Sequence, residues 1–600
     1  MQRWSTKLLI LPLLLGQLAC GGEKEPAPPP ASEPLSPEPT TSVEIFRDEA
    51  TSTGLDFVHW NGMSGEFYYS EHMGGGAALF DYDGDGDLDV YLTQGHLLGP
   101  NKTVEDARFP PPEGSLVDRL YRNDLEVQPD GSRKLRFTDV TAESGLEVGG
   151  YSMGVSVGDV DNDGWPDLYL THWNSSNQLF RNLGPEGDFR FEDITETAGV
   201  GERRWGIATV FFDYDRDGWL DLYVGNYLDY SFAVHKECVN EFGDRDYCGP
   251  VSFKPIPDVL FRNQGVDVAG QVRFEDVTAK MGITQTPAPV LGAVSGDFDG
   301  DGWLDLYLAN DEFPNNLLLN QQGEGFLDEA LLSGAAMSAE GKAEAGMGVD
   351  AGDFDNDGDE DLFIAHLNQE TNTLYNNQGG LFDDRTIETG LASPSLDFTG
   401  FGAGFLDFDN DGWLDLLVAN GAVQGLRQLL VAKDPYPMHQ KNQLFRNLGD
   451  GSFRDISAEA GPALALSEVS RGAAFGDLDN DGDTDVVVHN NAGPIRLLIN
   501  QVGSNKSWLG LRLVGSQGRD MAGAWVELLG PGRTQGRRVR TEGSYASAND
   551  PRVLFGLADL TGEAAVRVKW PDGTEEGWDG LPLGRYTTLR QGEGKPVSES

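Results

Sequence analysis

A nine-residue acidic motif, Asp-x-Asp-x-Asp-Gly-x-x-Asp, occurs seven times in this chain of 600 residues. Successive copies begin 78, 54, 84, 56, 54 and 70 residues apart, so a unit of about 54 residues carries insertions in some copies. Repeats of roughly 40–50 residues are typical of propeller blades. The motif therefore restricts the chain to seven repeated units. The copies begin at Asp81, Asp159, Asp213, Asp297, Asp353, Asp407 and Asp477.

The segments around each motif predict β-strands. Apolar runs rich in Val, Tyr and Phe, such as 77–80 and 90–92, flank the acidic loop, which makes the loop a hairpin connection. A third run ends in Asn and a fourth begins with Phe, as in 120–123 and 137–141. Four strands are the content of one propeller blade.

The two ends of the repeat region predict a closed ring. Only six units are followed by a fourth run, and the matching run 46–50 stands before the first unit. A ring can place this run beside 497–500, which removes two open sheet edges. Small residues five positions before each motif also indicate close backbone approach near an axis; they are Gly76, Gly154, Ala208, Gly292, Gly348, Gly402 and Gly472.

Charge divides the chain into two parts. Lys and Arg number 44 against 97 Asp and Glu, a net charge of −53, which excludes nucleic acid as a partner unless a local basic face exists. Residues 501–600 hold 13 basic and 12 acidic residues, whereas residues 1–500 hold 31 and 85. We therefore expect an all-β fold, with a seven-bladed β-propeller closed by an N-terminal strand over 43–501 and a small β-rich domain over 502–595.

The acidic loops predict calcium sites. Carboxylates at positions 1, 3, 5 and 9 and a backbone carbonyl at position 7 provide the hard oxygen ligands that Ca²⁺ prefers, and a Gly at position 6 permits the turn. Mg²⁺ is less suited, because it demands a tighter octahedral geometry. Up to seven Ca²⁺ would offset repulsion among these carboxylates. The candidate ligands, including position 7, are Asp81, Asp83, Asp85, Asp87, Asp89, Asp159, Asp161, Asp163, Trp165, Asp167, Asp213, Asp215, Asp217, Trp219, Asp221, Asp297, Asp299, Asp301, Trp303, Asp305, Asp353, Asp355, Asp357, Asp359, Asp361, Asp407, Asp409, Asp411, Trp413, Asp415, Asp477, Asp479, Asp481, Asp483 and Asp485.

These motifs resemble a known family. The repeats look like the FG-GAP or VCBS type of propeller repeat. Residues 503–592 look like the ASPIC/UnbV domain, through the segments 543–545, 551–557 and 568–573. The pair is similar to the cartilage acidic protein 1 family over about residues 44–592. The resemblance implies extracellular calcium binding and adhesion-like roles, and it implies no particular activity.

The N-terminus is typical of an export signal. Arg3 and Lys7 precede an apolar run over 8–15, and Ala19-Cys20-Gly-Gly resembles a bacterial lipoprotein signal in which Cys20 is lipidated. Gln17 departs from the usual Leu, and an ordinary secretory signal is the alternative. We predict a signal over 1–20, a Pro-rich tether over 21–42, and lipid anchoring at the outer membrane, in the periplasm or at the cell surface.

Other residues allow two interpretations each. Cys238 and Cys248 predict a disulfide within an insertion, with free thiols as the alternative. The loop tryptophans could cap neighbouring blades or stack on carbohydrate. Arg537, Arg538 and Arg540 predict a solvated face, or else a contact with an acidic partner such as the propeller. A candidate ligand ring, whose members could instead satisfy local backbone groups, comprises Gln94, His172, Asn226, Asn310, His366, Asn420 and Asn490.

We expect a non-enzymatic, calcium-binding scaffold that recognises a glycan or protein ligand at the cell surface and meets the membrane through its lipid anchor alone. Large insertions at 95–119, 227–257 and 421–441 would carry specificity. The alternative is an extracellular polysaccharide lyase or hydrolase built on a calcium propeller. No nucleophile–base pair stands out among the structural acidic loops, which disfavours catalysis.

Overall fold

Seven four-stranded antiparallel sheets make up the repeat region of the computed structural model, which describes residues 44–597 except 98, 241, 284–286 and 531–533. The predicted signal over 1–20 with Cys20, and the tether over 21–42, lie outside the described residues. We number the sheets 1 to 7 by their acidic loops. The prediction of an all-β, propeller-type fold is confirmed.

The first and second strands of each sheet flank its acidic loop, and the third and fourth continue the same sheet outward. The first strands are Ala77–Phe80, Tyr151–Gly158, Gly206–Phe212, Val290–Gly296, Val349–Gly352, Gly400–Leu406 and Ser470–Gly476. The second strands are Asp89–Leu92, Asp167–Trp173, Asp221–Asn226, Asp305–Asn310, Asp361–Ile364, Asp415–Asn420 and Asp485–Asn490.

Third and fourth strands complete the sheets on the outside. The third strands are Arg119–Asn123, Gln178–Asn182, Val259–Val266, Asn316–Asn320, Thr373–Asn377, Gln443–Asn447 and Arg496–Asn500. The fourth strands of sheets 1 to 6 are Phe137–Asp139, Phe191–Asp193, Val272–Asp276, Phe326–Asp328, Phe382–Asp384 and Phe453–Asp455. Short helices follow most outer strands, and another lies in the last insertion; they are Ala50–Thr53, Thr141–Ser144, Thr195–Ala198, Thr278–Met281, Ala330–Ser333, Ala392–Ser395 and Arg427–Ala432.

The N-terminal strand closes the arrangement. Strand Phe46–Asp48 pairs antiparallel with Arg496–Asn500, with Phe46 opposite Asn500, and so supplies the outer strand of sheet 7. The first strands of neighbouring sheets contact one another in order from sheet 1 to sheet 7, and that of sheet 7 contacts that of sheet 1. The run at 46–50 therefore lies beside the last third strand, where the count of strands in the sequence predicted it.

A cycle of asparagine hydrogen bonds joins neighbouring sheets. An Asn at or near the end of each third strand donates its Nδ2 to the carbonyl of loop position 2 in the preceding sheet, and sheet 1 reaches back to sheet 7. Because these amides are buried, each bond satisfies groups that water cannot reach. The seven donor–acceptor pairs, at 2.8–2.9 Å, are Asn123–Leu478, Asn182–Tyr82, Asn263–Val160, Asn320–Tyr214, Asn377–Phe298, Asn447–Phe354 and Asn500–Phe408.

The C-terminal region forms two further sheets. One has three strands and the other five, and one apolar core that includes Trp570 and Phe555 lies within this region. The chain leaves sheet 7 at Asn500, and the next strand begins at Trp508. The strands are Trp508–Val514, Trp525–Leu529, Thr534–Arg538, Val553–Gly556, Glu563–Lys569, Glu575–Pro582, Tyr586–Arg590 and Lys595–Pro596.

Residues 541–549 of the C-terminal region, which we call the axial segment, run between the first strands of the propeller. Ala548 exchanges backbone hydrogen bonds with sheet 1, and the Ala546 carbonyl accepts the Val155 N–H of sheet 2 at 3.2 Å. On the other side, the Ser544 carbonyl accepts the Val349 N–H at 3.1 Å. The segment therefore fills the axis of the ring and fixes the C-terminal region there.

Glycine at the predicted register is required by this close approach. A Cβ on Gly76 would lie 1.7 Å from the Ala546 carbonyl oxygen, and a Cβ on Gly348 would lie 2.0 Å from the Phe401 carbonyl oxygen. Neither distance is sterically possible, so any larger residue would displace backbone. These two positions show what the small residues before each motif are for, because the axis is filled with main chain.

Candidate functional site

Each acidic loop is held in shape by its own carboxylates. In all seven loops the position-1 carboxylate accepts the N–H of the position-6 Gly; in loop 3 the Gly218 N–H reaches Asp213 at 3.0 Å. The position-6 glycines have φ between +88° and +101°, a region that other residues avoid. The Gly of the motif is therefore a requirement of the turn.

Position 4 carries a second conformational requirement that the sequence analysis missed. All seven position-4 residues have positive φ, from +50° to +75°. Six of them are Gly or Asn, the residues that tolerate this region best, and the exception is Arg216 in loop 3. The signal was present in the sequence as a recurring Gly or Asn between the second and third aspartates.

The carboxylates at positions 5 and 9 also support the backbone. At position 5, Asp217 accepts the Trp219 N–H at 3.0 Å, and the same bond recurs in every loop. At position 9, Asp221 is fully buried, and its two oxygens accept the N–H groups of Tyr214 and Asn263. Position 9 thus ties the loop to the third strand of its own sheet.

At position 3, one carboxylate oxygen lacks a hydrogen-bond partner in most loops. In loops 1, 2, 3, 5 and 6 its Oδ1 is buried without a hydrogen-bond partner, which is costly unless another group satisfies it. Ligand oxygens of the loop carboxylates lie within 4.8 Å of one another, as for Asp159, Asp161 and Asp167. Clustered hard oxygens with an orphaned member fit a divalent cation. The five orphaned oxygens belong to Asp83, Asp161, Asp215, Asp355 and Asp409.

Electrostatics in the loops point the same way. Burial, reinforced by the neighbouring Asp85 and Asp81, raises the pKa of Asp83 to about 6. Burial likewise raises the pKa of Asp159 to about 7 and that of Asp479 to about 8, with neighbouring carboxylates adding to the rise. Carboxylates with raised pKa values carry charge that the protein alone leaves poorly compensated. A bound cation would supply the missing compensation.

Arginines on the third strands provide partial compensation in three loops. Arg262 contacts Asp215 and Asp217, with its Nη2 2.6 Å from Asp217 Oδ2. Arg181 and Arg446 make the corresponding contacts with positions 3 and 5 of loops 2 and 6. One oxygen of the position-3 carboxylate is thus held by an arginine, while Oδ1 stays without a partner and is left for a ligand.

Cations of the C-terminal region face the first aspartate of every loop. Lys569 Nζ lies 3.1 Å from Asp297 Oδ2, and Tyr586 donates its hydroxyl to Asp477 at 3.0 Å. The remaining pairs act through space and lower the pKa of each aspartate against the larger effect of burial. They are Arg512 with Asp81, Arg519 with Asp159 and Asp213, Arg537 with Asp353 and Asp407, and Arg552 with Asp477. The C-terminal region therefore lies over the face of the propeller that carries the acidic loops.

The arginine run at 537–540 belongs to this contact. Arg538 and Arg540 both pair with Glu360 of loop 5, and the three side chains are at least nine-tenths buried. The expected solvated face is therefore wrong at these two residues, and the contact with the acidic propeller holds. Net charge alone could not decide this point, because it does not show which surface covers the strand.

The candidate ligand ring has a local role in the structure. All seven residues are buried, with at most 3% of their surface exposed. Asn226, Asn310 and Asn490 donate Nδ2 to the carbonyls of Pro257, Pro314 and Pro494, and Gln94 donates Nε2 to the Val58 carbonyl. This arrangement favours backbone satisfaction for these four amides, whereas His172 and His366 keep buried ring nitrogens without a hydrogen-bond partner.

The tryptophans of the acidic loops and the two cysteines of the insertion at 227–257 make local contacts. Trp165 lies against Gly84 of the neighbouring loop, and the Arg216 guanidinium stacks 3.9 Å from the centroid of Trp303. Both contacts join adjacent sheets, as expected for side chains that cap neighbouring blades. A disulfide links Cys238 and Cys248, whose Cα atoms are 5.2 Å apart.

Insertions from several sheets meet on the face opposite the acidic loops, since they follow the far ends of the second strands. The Gln424 Nε2 donates to the Tyr247 carbonyl at 3.0 Å, which joins the insertions of sheets 6 and 3. Tyr247 in turn donates its hydroxyl to Glu71, from the segment before sheet 1, at 2.8 Å. We call this surface the insertion face. Among the described residues, no helix has the length and apolar character to cross a membrane.

Comparison with known proteins identifies both parts of the chain. The family described as FG-GAP-like repeat matches residues 159–224, 297–364, 353–418 and 425–488, and the family described as ASPIC and UnbV matches residues 514–596. Cartilage acidic protein 1 of Mus musculus is 25% identical over 516 residues, which cover 83% of this chain and 70% of that protein. The Xenopus tropicalis protein of the same name is 25% identical over 517 residues, again 83% and 70%.

Among solved structures, the BP39L lectin from Burkholderia pseudomallei is similar at 10% sequence identity and a TM-score of 0.39, over 72% of this chain and 96% of the lectin. A similarity of this size supports no conclusion about ligand. The chain therefore consists of FG-GAP-like repeats followed by an ASPIC and UnbV domain, and over most of its length it is similar to cartilage acidic protein 1.

Proposed function

We propose that the protein is an exported, lipid-anchored scaffold that binds calcium in its acidic loops and a glycan or protein ligand on its insertion face, without catalysing a reaction. The observation that carries the calcium assignment is the buried, unpartnered Oδ1 at position 3 of five loops. Oxygen-only donor sets of this kind suit Ca²⁺ better than transition metals, which prefer nitrogen or sulfur ligands.

The ligand would bind on the insertion face because the opposite face is covered. Arg538, Lys569 and Tyr586 occupy the side that carries the acidic loops, and the axial segment fills the centre. The described residues of the insertions at 227–257 and 421–441 lie on the other face, and they are braced by a disulfide and by the Gln424–Tyr247 bond. Braced loops on a rigid scaffold are a common basis for recognition.

A binding screen tests the proposed ligand class. The purified full chain is applied to arrays of glycans and of envelope proteins in calcium buffer and again in excess chelator. We expect binding that chelator reduces by more than tenfold, since loss of the ions would loosen the sheets that carry the insertions. Steady turnover of any polysaccharide in a parallel depolymerisation assay would overturn the non-enzymatic proposal in favour of a lyase or hydrolase.

Fractionation tests the anchor. We expect the native chain in the membrane pellet of a bacterial host and the Cys20→Ser variant in the soluble exported fraction, because only the native chain could carry the lipid. Cys238→Ser serves as the control, since it removes a cysteine without removing the acceptor. Equal distribution of the native chain and Cys20→Ser would contradict lipidation and leave an ordinary secretory signal.

A further inference from the structure

A cavity of about 140 Å³ opens on the insertion face and belongs to none of the acidic loops. Its deep walls are aromatic and buried, with Tyr69, Tyr227 and Phe401 each at most 3% exposed. Its rim includes the half-buried Glu312 and Asn368 and the exposed Gln424. A cavity of about 150 Å³ can hold a molecule of the size of benzene, so this volume suits a small organic group.

Acidic groups line this cavity without any lysine or arginine among the lining residues. Asp311 is 7% exposed and accepts the Tyr227 hydroxyl, which is itself 2.8 Å from the Tyr69 hydroxyl. Glu312 follows it at the rim with a φ of +59°, a left-handed conformation that is uncommon for a residue other than Gly. Backbone strain of this kind is concentrated at functional positions.

One buried wall residue lacks a partner, and a buried arginine limits where a ligand's charge can lie. His72 lines the wall, is 3% exposed, and its Nδ1 has no hydrogen-bond partner. Arg471 lies fully buried with its guanidinium 3.9 Å from the Phe401 ring centroid, and it donates to the carbonyls of His72, Gly421, Ser470 and Ala422. This guanidinium repels a second cation beside Phe401, so an ammonium group would lie on the side of the cavity lined by Asp311 and Glu312.

We propose that this cavity binds a small alkylammonium cation, with the aromatic walls around the alkyl chain and the carboxylates of Asp311 and Glu312 near the ammonium group. Aromatic faces attract ammonium groups by cation–π interaction, and the attraction strengthens when the site excludes water. Opposite charge on the lining carboxylates adds to it. The inference goes beyond the proposed function and does not require calcium in the loops, because the cavity lies on the other face.

Three probes with the same four-carbon chain separate charge from shape. Butylammonium, 1-butanol and butyrate are titrated by calorimetry or protein NMR into the full chain in calcium buffer. We expect butylammonium to bind at least tenfold more tightly than 1-butanol, and butyrate to bind less tightly than either. Three results would overturn the inference: equal affinities for the three probes, tighter binding of butyrate than of butylammonium, or no binding of butylammonium up to ~50 mM. That concentration is about 50 times the Kd of a site with millimolar affinity.

Variants assign the binding to this cavity. Glu312→Gln removes one charge at the half-buried rim and should weaken butylammonium binding at least fivefold, with the affinity for 1-butanol unchanged. Glu324→Gln removes the same charge from an exposed turn of the same sheet and should change neither. Asp311→Asn should have a larger effect than Glu312→Gln, and Glu312→Gln decides the matter alone if Asp311→Asn does not fold. Unaltered butylammonium affinity in Glu312→Gln would overturn the assignment.

Discussion

The role of a single residue in this protein depends more on its burial than on its residue type. Asp118 stands just before the third strand of sheet 1 and is fully buried. It accepts the Gln94 N–H at 2.7 Å and the hydroxyls of Tyr91 and Ser152 at 2.9 and 2.8 Å. Burial raises the pKa of Asp118 to about 7. Sheets 2, 4, 5 and 6 have Asn at the equivalent place, so an amide is compatible with the site.

Asp118→Asn should therefore stabilise the protein, by more at pH 8 than at pH 5. The folded-state pKa lies above the unfolded value of about 3.9, so ionisation favours unfolding as pH rises from about 4 to 7, and the full cost is present above pH 7. Removing the carboxyl should raise the free energy of unfolding by about 2 kcal/mol more at pH 8 than at pH 5, since each pKa unit is worth about 1.4 kcal/mol.

Urea unfolding of the native chain and Asp118→Asn at both pH values measures this difference. Asp188→Asn removes the same charge from an exposed turn and is the matched control. A gain for Asp118→Asn that is the same at pH 5 and pH 8 would show that the buried carboxyl does not titrate as described.

At the scale of elements, the strands were predictable and the bonds between them were not. Alternation of apolar runs with turn residues indicated four strands per unit, and the surplus run at 46–50 indicated closure. The role of the Asn at or near the end of each third strand was missed, because its partner lies in the preceding sheet. Asn500 at the end of the last unit contacts Phe408, which is 92 residues earlier in the chain, and no local pattern reports such a contact.

Asn263→Ala tests the inter-sheet cycle. Asn263 Nδ2 donates to the carbonyls of Val160 in loop 2 and Leu220 in loop 3, at 2.8 and 3.0 Å. Losing these bonds leaves buried carbonyls unsatisfied, which should lower the free energy of unfolding by about 2–3 kcal/mol. Gln264→Ala alters the exposed neighbour and should change stability by less than about 0.5 kcal/mol. Equal stability of Asn263→Ala and the native chain in denaturant would argue against a structural cycle.

At the scale of the whole molecule, the acidic loops of the propeller and the basic side chains of the C-terminal region are complementary in charge. The sequence predicted their boundary from charge, but their arrangement depends on contacts between residues far apart in the chain, such as Glu360 with Arg540. The acidic loops themselves were identifiable because the same spacing of aspartates recurs seven times in the sequence. The cavity on the insertion face was not, since Tyr69, Tyr227 and Phe401 come from the segment before sheet 1, the insertion of sheet 3 and the first strand of sheet 6.

The ion count per chain tests the central claim, that calcium completes the acidic loops. Equilibrium dialysis of the full chain at millimolar Ca²⁺ should give several ions per chain, up to seven, and Asp161→Asn with Asp163→Asn should lower the count by one. Each site that is saturated a hundredfold above its Kd should add about 2.7 kcal/mol to stability, so chelator should lower the melting temperature. Zero bound ions, with a melting temperature unmoved by calcium or chelator, would contradict the account.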